Sequence, residues 1–140
     1  MAPSEFSPTL PTKEGLLGAP GWYSFEHEAW PIGESIRQSF QKTPKLKRDG
    51  GALEAVMRVV EQPNLRRGRQ SFVMALGFKA ASPFASRMAR FLVDQDNDGQ
   101  VVDTLLKMRA PGFVNAVRPL LGDTHTWIRN LAKRYVARYP

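Results

Sequence analysis

Pro111-Gly112-Phe113-Val114-Asn115-Ala116-Val117-Arg118-Pro119-Leu120-Leu121-Gly122-Asp123-Thr124-His125-Thr126-Trp127-Ile128-Arg129-Asn130-Leu131-Ala132-Lys133-Arg134-Tyr135-Val136-Ala137-Arg138-Tyr139 is the stretch whose reading decides the fold. Its apolar residues recur every three or four positions and do not alternate, which is helical spacing. Phe113, Val114, Val117, Leu120 and Leu121 fall in a helix opened by Pro111 and running over 111–121. Ile128, Leu131, Ala132, Tyr135 and Tyr139 share a face of a second helix over 127–139, which Thr126 is placed to cap. Gly122 and Asp123 turn the chain between them. The unit reads as a helical hairpin.

Two similar pairs lie upstream. Ser82-Pro83 supplies a cap and an N1 proline for a helix over 83–93 carrying Phe84, Met88, Phe91 and Leu92. Its partner, over 100–109, carries Val101, Val102, Leu105, Leu106 and Met108. Before these, a helix over 52–62 has Leu53, Val56, Met57 and Val60 on one stripe and is stopped by Pro63. Asn64 can cap the next, from Leu65 to about Phe78, with Phe72, Val73 and Leu76. First helices begin near residues 52, 83 and 111, offsets of 31 and 28 residues. Such a period marks a stacked helical solenoid, the alternative being an irregular bundle of short helices. No segment sustains period-two alternation, so the fold class is all-α.

Toward the N-terminus, Ile32, Ile36 and Phe40 form another stripe, with Pro31 expected in the first turn of its helix. An aromatic cluster, Trp22, Tyr23, Phe25 and Trp30, precedes it, and Lys42 to Gly51 reads as a basic linker. Residues 1–21, with four prolines and little periodicity, read as a flexible tail, leaving 22–140 as one helical-repeat domain.

The last pair resembles a HEAT repeat. In that family a proline is common in the first helix, an Asp lies in the turn, and a Val/Ile-Arg pair opens the second helix. Pro119, Asp123 and Ile128-Arg129 occupy those places, and Asp123 and Arg129 stand six apart, the family's spacing for its Asp–Arg ladder. Arg69 with Ala75-Leu76-Gly77 is similar to shorter bacterial HEAT repeats, although that pair lacks the Asp. The middle pair has Val101-Val102-Asp103 where Val-Arg is expected. The resemblance covers residues 52–140. It implies a short right-handed α-solenoid of about three hairpins, with residues 22–42 as an N-terminal capping helix.

The charge is uneven. Residues 1–50 hold six basic and six acidic side chains, whereas 51–140 hold 14 basic and seven acidic, the source of the net +7. Eleven of those 14 are Arg, whose planar fork suits carboxylate or phosphate. In HEAT-like arrays second helices line a concave surface, so the resemblance gathers Arg66, Arg67, Arg69, Trp127, Arg129, Lys133 and Arg134 into one basic groove. An acidic protein partner is the expected occupant. Nucleic acid is the alternative, its backbone tracked by the cations and its bases stacked on aromatics. The bland reading of the same charges is a solvated surface. Three hairpins leave a terminal apolar face for the N-terminal aromatics or for another subunit, so self-association stays open.

Asp94-Gln95-Asp96-Asn97-Asp98-Gly99-Gln100-Val101 is the sharpest local motif and resembles the start of an EF-hand or dockerin calcium loop. Asp94, Asp96 and Asp98 take its first, third and fifth positions, Gly99 its sixth and Val101 its eighth. The twelfth position is Leu105, which has no carboxylate, so Asp103 would have to substitute. The alternative is an acidic turn, with Asp98 capping the helix that follows.

Cysteine is absent, which excludes disulfides, a thiol nucleophile, iron–sulfur clusters and Cys-based zinc. The two histidines, His27 and His125, stand in no catalytic constellation, and no phosphate-cradling or metalloprotease motif occurs. The expectation is a cytoplasmic, non-catalytic binding module with no cofactor and no membrane partner.

Overall fold

Buried apolar faces at helical spacing give seven α-helices among residues 22–140, the part of the chain that the computed structural model describes. No strand occurs among these residues. The expected tail lies outside them. The helices are α1 (Ser24–Lys42), α2 (Gly50–Val60), α3 (Gln70–Ala75), α4 (Ala85–Ala89), α5 (Asp98–Met108), α6 (Val114–Val117) and α7 (Thr126–Arg138). Tight 3-10 turns join or extend them at Pro44–Arg48, Pro63–Arg69, Lys79–Phe84, Arg90–Val93 and Arg118–Gly122.

Helices α2, α5 and α7 run close to their expected spans. The others differ, for identifiable reasons. Helix α1 begins at Ser24, seven residues before Pro31, which therefore sits inside it and not in its first turn. A mid-helix proline forfeits one hydrogen bond and costs about 3 kcal/mol. Burial of the helix start offsets this: Glu26, with 0 % exposure, accepts from Tyr23 N–H at 2.7 Å and from Arg67 N–H at 2.8 Å. The expected linker is a 3-10 turn leading to Asp49, whose carboxylate caps α2 by accepting Ala52 N–H at 3.1 Å. The single helix expected over 65–78 is split, because Arg66 has φ 52° and ψ −128° and the chain turns there before α3 begins. The helices expected over 83–93 and 111–121 shrink to α4 and α6, each passing into 3-10 geometry.

Packing follows an order. Helix α1 lies against α3, α3 against α5, and α5 against α7, while α2, α4 and α6 pack on α3, α5 and α7 respectively. Gly33 lets α1 and α3 approach closely, since a Cβ there would stand 2.8 Å from the Phe72 amide nitrogen. Beside it Ser71 Oγ donates to the Trp30 carbonyl at 2.7 Å. Thr104 Oγ1 ties α5 to α3 by donating to the Val73 carbonyl at 3.0 Å. Tyr135, fully buried, donates to the Ala110 carbonyl and accepts Phe113 N–H, fixing α7 to the start of its hairpin. One core, including Met57, Val60, Val73, Leu76, Met88, Val101, Leu105, Met108, Ile128 and Ala132, runs through all of this. On the surface Arg87 clamps Glu54 and Glu61 at 2.7–3.0 Å, and its hydrogen bond holds the Glu54 carboxyl down to about 2. No helix among the described residues is long and apolar enough to cross a membrane.

Arg69 lies inside this core at 1 % exposure. Its Nε donates to the Arg66 carbonyl at 2.9 Å, Nη1 to the Val60 carbonyl at 3.1 Å, and Nη2 to Asp94 Oδ2 at 2.7 Å. Removing one partner of a buried ion pair strands the other, at about 3–5 kcal/mol. Arg69→Met is therefore expected to lower urea-unfolding stability by that amount. Arg69→Lys should rescue little, because a single ammonium cannot reproduce the guanidinium's spread of donors.

Candidate functional site

Two turns meet at the N-terminal ends of α5 and α7. The first, Asp94 to Asn97, is ordered from within: Asp94 Oδ1 accepts Asp96 N–H at 2.9 Å, and Oδ2 accepts Asn97 Nδ2 at 3.2 Å as well as Arg69. The second runs from Gly122 to Thr126, where Asp123 Oδ1 accepts His125 N–H at 2.8 Å and meets His125 Nδ1 at 2.9 Å. That backbone bond, reinforced by the imidazole, holds the Asp123 carboxyl below its usual range. Between the turns opens a cleft of 790 Å³, bordered by Arg67, Asp96, Asp98, Asp123, His125 and Trp127 with apolar walls from Val93 and Pro119.

Gly99 shapes this cleft. The Trp127 ring rests directly on it, so that a Cβ there would stand 2.7 Å from Trp127 Cζ3 and 2.8 Å from Ile128 Cγ1. The indole is thereby laid beside Asp98 with 48 % of its residue surface exposed. Asp98 itself is 7 % exposed, and its Oδ1 accepts Gly99 N–H at 2.7 Å. Burial, chiefly, pushes the carboxyls of both Asp96 and Asp98 upward.

The residues singled out by sequence are dispersed. Arg67 and Trp127 line the cleft, together with Asp96 and Asp98, so parts of the expected groove and of the expected calcium loop come together. Arg66 is exposed over the Tyr23 ring at 5.2 Å. Lys133 and Arg134 are exposed on α7, and neither borders the cleft. Arg129 is half-buried, with Nη1 on the Asp123 carbonyl at 2.7 Å and Nη2 on Thr126 Oγ1 at 3.0 Å. It therefore does not pair with the Asp123 carboxylate, as the repeat spacing implied.

Two corrections follow. Arg69 is an interior residue with each of its three nitrogens hydrogen-bonded, and it presents nothing to a groove. Asp94, Asp96 and Asp98 are not arranged as a calcium site. Asp94 is held by Arg69, Asp96 N–H and Asn97, and no group of three His, Cys, Asp or Glu side chains among the described residues is placed to hold a metal ion. The acidic-turn alternative describes the loop better, although Asn97, not Asp98, occupies the cap position of α5. Sequence reasoning did not anticipate that Asp123 and His125 would face this loop. The signal that could have pointed to it is Gly99, whose missing side chain lets α7 approach closely.

Comparison of the chain with family models, with curated proteins and with solved structures finds no match.

Gly99→Ala sets a helix-propensity gain of about 1 kcal/mol against overpacking of about 1–3 kcal/mol. The clash with a ring and a neighbouring branched side chain should win, lowering the melting temperature and increasing the solvent exposure of Trp127 measured by fluorescence. For Asp98 the folded-state carboxyl is raised, so the native state binds protons more readily than the unfolded chain and loses stability as pH rises through that value. Asp98→Asn keeps the acceptor for Gly99 N–H and removes the buried charge. It should melt higher than the native protein at neutral pH, with the difference shrinking on acidification in a calorimetric pH series.

Proposed function

We propose that this chain is a non-catalytic binding module of the HEAT-like kind, a short right-handed solenoid of about three hairpins behind α1, which engages an acidic protein partner. The order of contacts supports the architecture. Odd-numbered helices touch in succession and each even-numbered helix packs on the one that follows it, as in stacked hairpins.

One observation carries the function. Helix α7 bears Arg129, Lys133, Arg134 and Arg138, and no acidic residue occurs from 124 to 140. Four surface cations outside α7 are neutralised: Arg37 by Glu34, Arg58 by Glu54, Arg87 by Glu54 and Glu61, and Lys107 by Asp103. On α7 Lys133 and Arg134 are exposed without an ion pair among the described residues, and Arg138 is bonded to the Tyr139 hydroxyl. Like charges four apart, Arg129 with Lys133 and Arg134 with Arg138, destabilise a helix by about 0.2–0.5 kcal/mol per pair. An acidic surface laid along α7 relieves that repulsion. It binds outside the cleft, where three aspartates would oppose it.

Nucleic-acid backbone binding by the same cations is the second reading, favoured by Trp127, whose half-exposed indole offers a stacking face on the same helix.

Fluorescence anisotropy with a labelled polyglutamate peptide and with single- and double-stranded oligonucleotides, at low and near-physiological salt, separates the two. Saturable peptide binding at near-physiological salt, weakened about tenfold or more by Lys133→Glu with Arg134→Glu, is expected. Oligonucleotide binding with a steep salt slope and no peptide binding transfers the function to the second reading. Binding of neither probe overturns both.

A further inference from the structure

The cleft between the first turns of α5 and α7 has a chemistry opposite to that of the whole chain. The sequence stands at +7, yet three aspartates and one arginine border this cleft. The arginine, Arg67, already has Glu26 Oε2 3.3 Å from its Nε. Asp98 is nine-tenths buried; its Oδ1 accepts the adjoining Gly99 N–H, and its Oδ2 meets no donor among the described residues but is not sealed from solvent. The Asp96 carboxylate accepts no hydrogen bond among the described residues, and its ion-pair contact with Arg69 Nη2 is loose at 3.9 Å. Carboxylates that are partly stripped of water and short of protein donors gain from a cation brought to their open oxygens.

What stands beside these acids defines the chemistry of the missing donor. Trp127 lies on Gly99, next to Asp98, with half its surface open. Val93 is 87 % exposed on the same lining, and Pro119 adds a further apolar wall. A volume of 790 Å³ is in the range of small-molecule sites and far exceeds what a bare ion fills. The side chains are not grouped to coordinate a metal. An aromatic face beside a carboxylate, with apolar walls for a stem, is the arrangement that attracts a polarisable organic cation.

We propose that this cleft binds an organic cation carried on an apolar stem, an alkylguanidinium or alkylammonium group, with its head on Asp98 and Asp96 and its stem along Trp127 and Val93. The upward shift of both carboxyls is consistent with sites that await a positive charge, since such a ligand favours their ionised forms. The inference uses none of the α7 cations that carry the proposed function, so the two stand or fall separately. A free small molecule and the side chain of a basic peptide present the same chemistry.

Titration calorimetry with tryptophan fluorescence, on the full chain, distinguishes these sources. The probes are n-butylguanidinium, a capped Gly-Arg-Gly peptide and, as an uncharged control of similar shape, n-butylurea. Saturable one-to-one binding of at least one cationic probe is expected, with a fluorescence change that disappears in Trp127→Phe. Asp98→Asn should weaken that binding about tenfold or more. Lys133→Glu with Arg134→Glu should leave it unweakened. Binding of the peptide alone assigns the site to a basic side chain, and binding of butylguanidinium alone to a free small cation. The proposal is overturned if neither cation binds saturably, if butylurea binds equally well, or if Asp98→Asn leaves the affinity unchanged. Should Asp98→Asn not fold, Asp96→Asn carries the same test with the same two outcomes.

Discussion

A guanidinium in the middle of an apolar core is the constraint on which the rest of this structure depends. Arg69 can be buried because its three nitrogens meet two carbonyls and a carboxylate from three different stretches of chain: the end of α2, the turn before α3, and the turn before α5. Such a charge is tolerated only if it is paired and hydrogen-bonded, as each of the three nitrogens is here. The backbone has accommodated it. Arg66 takes up a left-handed φ of 52°, a strained state for a side chain of that size, and so presents its carbonyl to Arg69 Nε. Asp94 in turn orders the loop that leads into Asn97 and Asp98. The position of the cleft is thus set from inside the protein, by a residue that never touches it.

Short helices are marginal by themselves, and α3, α4 and α6 have six, five and four residues. They persist because each packs on longer neighbours: α3 between α1 and α5, and α4 and α6 against the long helices that follow them. Close contacts without side-chain slack, at Gly33 and Gly99, fix how those neighbours meet. Arg87, bridging Glu54 and Glu61, adds a surface clamp between α4 and α2.

Helical periodicity made the all-α class and the spans of α2, α5 and α7 legible in the sequence, because an apolar stripe of ten or more residues identifies its own secondary structure. Helix α1 was only half legible. Pro31 is a sound local start signal, overridden by the burial of Glu26 against Arg67, 41 residues away. Arg69 was read as a groove residue for the same reason: nothing local distinguishes an arginine that will be buried from one that will be solvated. The Asp94–Asp98 spacing carries a calcium-like pattern, yet one carboxylate is spent on that distant arginine and the others do not converge. Part of the candidate site was legible all the same, since Arg67, Asp96, Asp98 and Trp127 had each been singled out. Their convergence was not, because it depends on how α7 seats on Gly99.

The hydrogen bonds that tie one helix to another bear on how quickly the chain can find this fold. Ser71 to Trp30 and Arg67 to Glu26 close loops of 41 residues, Thr104 to Val73 one of 31, and Tyr135 to Ala110 one of 25. Closure entropy grows only slowly over that range, so the longest of these contacts costs little more to close than the shortest. Each long helix can dock on the one already formed before it as soon as both have emerged. Folding can therefore advance along the chain in the order of its synthesis.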